Sequence, residues 1–326
     1  ELLLTTVGKL YSVGVVGYFF TLFFVCLHLI KKPTFALAIV LFNVFIVSYT
    51  FWWMQIELAQ AIAMSLLFFG WLSDKGQLRD FKIWQIVIYL IALRFLIYFH
   101  PLLPFVLLFC SFFFLFKNSL KVQFDKRVLY FTSIWVVVEY VLKKTLLKEA
   151  DYDSTAVVAI KKFGKIFPDY WSIPSNEDFL KWCVTDYYLL PIDLAAIAFV
   201  YIRQQRYKKL IYVFSAFFSY LLLINVSLYQ GFPQFHIESY YLPLSVVVII
   251  PVIFDVFPTI KNKSIFLVLL ALVLSIRVVH IWNRHELYTA RVEWQEQVIE
   301  VTNDNQNRKI FIPESSAPME ILLQSW

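Results

Sequence analysis

Polar and aromatic side chains that could hold a phosphate or a sugar collect between two long apolar runs, from Tyr229 to Pro243. Gly231 and Pro233 break any helix there, and Pro243 suits the first turn of the helix that follows. Imidazole, carboxylate and phenol groups just before a helix enters a bilayer are suited to the polar part of a lipid-borne ligand. The candidate ligand-binding residues of this segment are Gln234, His236, Glu238 and Tyr240.

Three further candidate ligand-binding residues, Glu57, Arg94 and His100, lie near the ends of other apolar runs. Ionisable side chains inside membrane spans are costly and usually face a cavity or a partner. Each also has a simpler explanation: hydration at the interface for Glu57, a hairpin cap for His100, and an ion pair with Glu139 for Arg94. The convergence of acidic, basic and imidazole groups from several spans on one side nevertheless predicts a polar cavity that opens on that side.

The composition defines the class of protein. Of all residues, 60% are apolar and 16% are charged, and the mean hydropathy is +0.68. Soluble domains are about half apolar and a quarter charged, so we predict a polytopic membrane protein. The net charge of +6 does not indicate nucleic-acid binding, because Lys and Arg form short clusters between apolar runs. The sequence also has no metal-ligand, P-loop or dinucleotide motif, and its three cysteines make no disulfide framework.

Continuous apolar runs without period-2 alternation predict an all-α transmembrane bundle rather than a barrel. We count about ten spans of ~15 to 21 residues, near the length that crosses the hydrocarbon layer. Their predicted limits are Leu10–Ile30, Thr34–Phe51, Gln55–Leu72, Trp84–Phe99, Pro101–Phe116, Val128–Leu146, Tyr188–Ile202, Leu210–Leu228, Tyr240–Val256 and Ser264–Ile281.

Every second connection between these runs is rich in Lys and Arg. This basic set comprises Lys31 and Lys32, then 75–82, 117–127, 203–209, and Lys261 with Lys263. The positive-inside rule places these connections in the cytoplasm, and the remaining ones outside. We therefore expect residues 1–282 to form the membrane domain, residues 147–187 to form a non-cytoplasmic loop, and residues 283–326 to begin an external soluble segment.

The outer loop is partly amphipathic, and it carries four acidic residues that could meet a divalent cation: Asp151, Asp153, Glu177 and Asp178. Their spacing is too weak a signal to predict a metal, and no cofactor is predicted. The chain opens at Glu1 without an initiator Met or a basic segment, and it stops abruptly at Trp326. We expect a fragment of a longer protein, cut at both ends.

The layout resembles the GT-C superfamily of membrane glycosyltransferases, which use polyprenyl-phosphate sugar donors. The resemblance covers most of the chain as a layout of many spans with helix-breaking outer loops. Three short local motifs add to it: an acidic residue after an outer loop in 52–59, a His-Pro turn at His100, and the helix start in 238–244. In the last motif, Ser239 or Tyr240 stands where the family commonly has Arg. Members usually place the catalytic carboxylate in the first outer loop, so the resemblance puts that base upstream of Glu1.

The resemblance implies transfer of a sugar from a polyprenyl-phosphate donor to an acceptor on the non-cytoplasmic side, in a bacterial inner membrane with the site facing the periplasm. Arg94, His100 and His236 would then hold the phosphate, and Glu57 and Glu238 would orient hydroxyl groups. The partners would be that donor and membrane lipids, with no nucleic acid. Three alternatives stay open at this point: a transporter or flippase, an O-antigen-type polymerase or ligase, and a non-catalytic envelope subunit. The transporter alternative expects inverted repeats and helices broken at the midplane. The sequence shows neither, although Pro191 and Pro251 could break helices.

Overall fold

The computed structural model describes residues 82–99, 102–147, 189–229 and 242–262, and single positions within 13–28, 65–69, 179–184, 264–279 and 293–300. These residues contain helices and no strand, which confirms the predicted all-α class for this part of the chain. The helices are α1 (Ile83–Phe99), α2 (Leu103–Phe113), α3 (Lys126–Leu147), α4 (Leu189–Arg203), α5 (Tyr207–Tyr229), α6 (Leu242–Pro251), a π-helical stretch (Val252–Val256) and α7 (Phe257–Thr259).

Six predicted spans overlap these helices, with ends that agree to within a few residues. The largest difference is α2, whose 11 residues rise only ~16 Å, about half of a hydrocarbon layer. Among the described residues, one stretch is long and apolar enough to cross a membrane, Tyr207–Ile224 in α5. The number of ten spans therefore stays a prediction. Thr34–Phe51 lies outside the described residues, as does the predicted boundary after residue 282, and three other spans are described only at scattered positions.

Side-chain contacts show that α1 and α3 run in the same direction. Near the start of both helices, the hydroxyls of Tyr89 and Thr132 are 2.6 Å apart in a buried hydrogen bond. Near their ends, the ammonium of Lys143 lies 5.9 Å from the centre of the Tyr98 ring. Contacts that advance along both helices together require a parallel pair, and so both helices begin at the end of the bundle where the basic connections precede them.

Helices α2 and α5 run in opposite directions. The rings of Phe105, early in α2, and Tyr220, late in α5, have centroids 4.5 Å apart. At the other end of the pair, the Lys209 ammonium lies 3.9 Å from the centre of the Phe113 ring. The end of α2 and the start of α5 therefore share one end of the bundle with the basic connections 117–127 and 203–209. We call this end of the described bundle the basic end.

Helix α6 and the π-helical stretch form the centre of the described bundle. Every residue from Pro243 to Phe257 is buried, and the stretch contacts α2, α4 and α5. A helix that is apolar all round, such as this Val- and Ile-rich run, is stable only when it is covered on every side. Its sequence permits this core position but does not require it, because lipid can also cover an apolar helix.

The chain stays helical through Pro191 and Pro251, the two prolines that could break helices. Pro191 lies in the first turn of α4, where its missing N–H has no helical partner to lose. Pro251 cannot donate to the carbonyl four residues earlier, and the chain continues with π-type bonds, one of them from the Phe257 N–H to the Val252 carbonyl. Pro243 lies at the second position of α6, as predicted.

Large apolar side chains also cover the outer surface of the described bundle. In α1 the exposed residues include Trp84, Val87, Ile91 and Phe95. Helices α3, α4 and α5 carry similar exposed apolar residues. A soluble helix normally places polar side chains on that face. Exposed apolar side chains on several neighbouring helices are typical of a surface that faces lipid or other protein.

Candidate functional site

The strongest polar cluster of the described structure surrounds Asp255, in the π-helical stretch at the basic end. Its Oδ1 accepts hydrogen bonds from Arg206 Nη1 at 2.9 Å and from the Ser119 backbone N–H at 2.8 Å. Its Oδ2 lies 2.6 Å from Lys209 Nζ and accepts a hydrogen bond from the Tyr201 hydroxyl at 2.8 Å. Four donors thus occupy both oxygens of a carboxylate that is completely buried.

Local backbone geometry places these donors. The chain turns from α4 into α5 through Gln205, which adopts a left-handed conformation with φ 55°. The Gln205 N–H bonds the Ile202 carbonyl and the Arg206 N–H bonds the Tyr201 carbonyl, which is the Schellman pattern that ends helices. Because this turn is so tight, Arg206 and Lys209 follow directly and lie beside Asp255.

The Asp255 cluster acts as a structural clamp. It ties the connection after α2, the α4–α5 turn and the end of α6 together, since each of these segments supplies a charge or a hydrogen bond. Lys209 also donates to the Lys117 carbonyl at 3.2 Å and packs on the Phe113 ring. A carboxylate with every oxygen engaged has no vacant position for a ligand or a proton, so we do not assign it a chemical role.

The second polar group lies between α1 and α3, on the half of the bundle away from the basic end. The Arg94 Nε is 3.8 Å from Glu139 Oε2, and its guanidinium carbon is 5.3 Å from the centre of the Tyr98 ring. The Arg94 side chain is 60% exposed, whereas that of Glu139 is 2% exposed. Counting ~1.5 Å per residue from Lys126, Glu139 lies ~20 Å along α3.

This group is incompletely bonded. Glu139 Oε2 is buried without a hydrogen bond, and so is the indole Nε1 of Trp135, one turn earlier on α3. Within the described residues, the Oδ2 oxygen of Asp193 in α4 is likewise buried without a hydrogen bond. Buried polar atoms are nearly always paired, because an unpaired one costs about 1–3 kcal/mol. Unpaired atoms beside an exposed arginine therefore indicate a place where a ligand or a water completes the bonding.

Of the residues predicted to bind a ligand, the structure describes Arg94. The other six lie outside the described residues: Glu57, His100, Gln234, His236, Glu238 and Tyr240. The expected ion pair between Arg94 and Glu139 is present, although at 3.8 Å it is a loose contact without a hydrogen bond. It leaves most of the guanidinium free to meet another group.

The described residues contain no group of three or more His, Cys, Asp or Glu side chains that could hold a metal ion. The acidic residues of the outer loop, from Asp151 to Asp178, lie outside the described part. Sequence reasoning did not select Trp135 or Lys143. Their spacing of four residues to either side of Glu139 puts all three on one face of a helix, and this pattern was the available signal.

The chain matches no protein-family model, and no curated protein or solved structure shows significant similarity to it. The chemistry of the site must therefore be argued from its own residues.

Proposed function

We propose that this chain belongs to a multi-pass membrane glycosyltransferase of the GT-C type, which takes a sugar from a polyprenyl-phosphate donor. In this proposal the membrane is a bacterial inner membrane, and the acceptor lies on the non-cytoplasmic side. The basic end faces the cytoplasm, which leaves Arg94 and Glu139 in the outer half of the bundle. Lipid covers the apolar surface of α1 and its neighbours.

One observation carries the proposal: an exposed guanidinium lies in the half of the bundle away from the basic end and borders an apolar surface. Phe95 and Ile91, close to Arg94 on α1, are both exposed. A phosphate attached to an isoprenoid needs a cation beside an apolar surface, because the chain stays in lipid while the headgroup is bound. Arginine suits this task, since its planar fork can donate two parallel hydrogen bonds to phosphate oxygens.

The chemistry required of the protein is modest. A carboxylate removes the proton of the acceptor hydroxyl, and cations stabilise the charge that develops on the departing phosphate. Arg94 supplies one such cation, with His100 and His236 as further candidates from the sequence. Glu57, Glu238, Gln234 and Tyr240 are proposed to contact sugar or acceptor hydroxyls. The base is not assigned to any residue of this chain.

The test is transfer by the full-length protein in liposomes, with a polyprenyl-phosphate sugar as donor. Arg94→Gln removes the charge, and charged hydrogen bonds contribute about 1.5–3 kcal/mol, so turnover should fall about 10- to 150-fold. Arg127→Gln, an exposed arginine at the basic end, is the matched control and should leave turnover unchanged. Full turnover by correctly folded Arg94→Gln protein would refute this role for Arg94.

A further inference from the structure

Two buried polar atoms without a partner lie on the same face of α3. Trp135 Nε1 can only donate a hydrogen bond, and ionised Glu139 Oε2 can only accept one. The two residues are separated by four positions, so their side chains are neighbours along the helix, ~6 Å apart in rise. A neighbouring unpaired donor and unpaired acceptor are complementary to a ligand group that can both accept and donate a hydrogen bond.

A hydroxyl is such a group, because it donates one hydrogen bond and accepts others. A polyhydroxylated ring offers several hydroxyls at different positions, so one ring can meet both atoms. The indole also provides a flat apolar face, and the Trp135 ring already stacks on Phe131 with centroids 6.1 Å apart. Indole and carboxylate together therefore favour a sugar over a purely apolar ligand.

The surrounding charge favours an anion. Arg94 approaches Glu139 from α1, and Lys143 lies one turn further along α3, so two cations accompany one carboxylate. Both cations lie near the Tyr98 ring, at 5.3 Å and 5.9 Å from its centre.

An exposed side chain borders the buried carboxylate. Arg94 Nε lies 3.8 Å from Glu139 Oε2, and the Arg94 side chain is 60% exposed and makes no hydrogen bond to this oxygen. Rotation of the Arg94 side chain toward an incoming phosphate would uncover the carboxylate without moving a helix. A single rotation of the Arg94 side chain would then both bind the anion and expose the site for the hydroxyl groups.

We propose that the α1–α3 interface binds a phosphorylated, polyhydroxylated ligand, with Arg94 on the phosphate and with Trp135 and Glu139 on hydroxyl groups of the sugar. This inference rests on the proposed function, because it uses the same arginine. It adds two positioning contacts that neither the sequence motifs nor the resemblance assigns, and it makes the sugar itself a source of affinity.

The experiment measures dissociation constants for the full chain in nanodiscs. The probes are farnesyl phosphate, the farnesyl phosphates of glucose, mannose and galactose, and the corresponding free hexose 1-phosphates. The quantity of interest is the sugar increment, defined as the affinity for the best farnesyl-phosphate hexose divided by the affinity for farnesyl phosphate. The free hexose phosphates distinguish a lipid-linked source, which they would bind poorly, from a soluble source, which they would bind equally well.

Trp135→Phe removes the N–H together with the five-membered part of the indole but keeps an aromatic face, so the sugar increment should fall about threefold to tenfold. Glu139→Gln should reduce it about tenfold, while the affinity for farnesyl phosphate stays the same or rises because a negative charge is lost. Trp84→Phe changes an exposed tryptophan of α1, and Asp125→Asn changes a carboxylate at the basic end. Both controls should keep the increment.

The failures are distinguishable. If Arg94→Gln leaves the affinity for every probe unchanged, the phosphate site and with it the proposed function are wrong. If Arg94→Gln weakens all probes but Trp135→Phe and Glu139→Gln keep the increment, only the hydroxyl site is wrong. A wild-type increment of one for all three hexoses also overturns the inference. Should Glu139→Gln not fold, the Trp135→Phe variant, compared with the Trp84→Phe control, still decides the result.

Discussion

The replacement of Asp255 by Asn tests the clamp at the basic end. The change keeps the shape of the side chain but removes its charge and turns one acceptor oxygen into an NH2 donor. The donors around it stay in place: Arg206, Lys209, Tyr201 and the Ser119 backbone N–H. At the Oδ1 position the NH2 group would meet two donors, Arg206 and the Ser119 N–H. At the Oδ2 position it would meet Lys209, and there only the Tyr201 hydroxyl can turn to accept.

The magnitude follows from the burial of the partners. Lys209 is 2% exposed and Arg206 is 30% exposed, so Lys209 cannot reach water when its counter-charge is lost. Removal of one partner from a buried ion pair costs about 3–5 kcal/mol. At ~2 °C per kcal/mol for a chain of this size, the unfolding temperature should fall by about 6–10 °C.

The assay is thermal unfolding in detergent at one fixed heating rate, because membrane proteins often unfold irreversibly. Asp125→Asn is the control, since Asp125 Oδ1 accepts a hydrogen bond from the Arg127 N–H at 2.9 Å and asparagine caps a helix about as well, so the change should cost about 1 kcal/mol or less. The decisive variant is the double replacement Asp255→Asn with Lys209→Met, which removes the unpaired charge.

If burial of an unpaired ammonium causes the loss, the double variant should be more stable than Asp255→Asn alone, by about half of the loss or more. The double replacement Asp255→Asn with Arg206→Met should recover less stability, because the more exposed guanidinium of Arg206 can already be hydrated. A double variant no more stable than Asp255→Asn would refute the argument, and so would equal recovery from the two cations.

Two further predictions concern a turn and a thiol. Gln205→Gly should leave stability unchanged or raise it by up to about 1 kcal/mol, because glycine adopts the left-handed conformation at φ 55° without a Cβ clash, and a loss of stability in the same thermal assay would contradict this. Burial raises the pKa of the half-buried Cys183 thiol to about 11. Only the thiolate is nucleophilic, so the rate of Cys183 alkylation in the folded protein should still rise about tenfold between pH 9 and 10. In the denatured chain the rate should level off near pH 9. Mass spectrometry of the peptide that contains Cys183 measures both rates.

The helices were predictable because long apolar runs between polar connections have few other structures available. Their relative directions were also encoded, since alternate connections carry the lysines and arginines. Contacts of Asp255 with Ser119 and with Arg206 bring three of those basic connections together at one end. The cytoplasmic location of that end is a separate prediction that these contacts do not address.

The bonding of individual polar groups was not predictable. Asp255 stood out as an ionisable residue at the end of an apolar run, but its partners are 49, 54 and 136 positions away along the chain. Only the packing of α2, α4 and α6 decides which donors meet. The π-helical stretch likewise has no signal beyond Pro251. The spacing of Trp135 and Glu139 was visible in the sequence, while the lack of partners for their polar atoms depends on what α1 places opposite them.

The carboxylates of the described bundle differ in a way that separates stability from binding. At the basic end, Asp255 has both oxygens fully bonded, which is the state expected of a group kept for structure. Away from that end, Glu139 and Asp193 each retain a buried oxygen without a partner. If Glu139 served stability alone, we would expect either a fully hydrogen-bonded carboxylate or an apolar side chain at this position. A buried carboxylate with only part of its hydrogen bonds gives a less stable fold than either of these. Glu139 also borders an exposed arginine, so we attribute its unfilled oxygen to a ligand, and the argument predicts that Glu139→Gln lowers sugar binding without the loss of stability that Asp255→Asn brings.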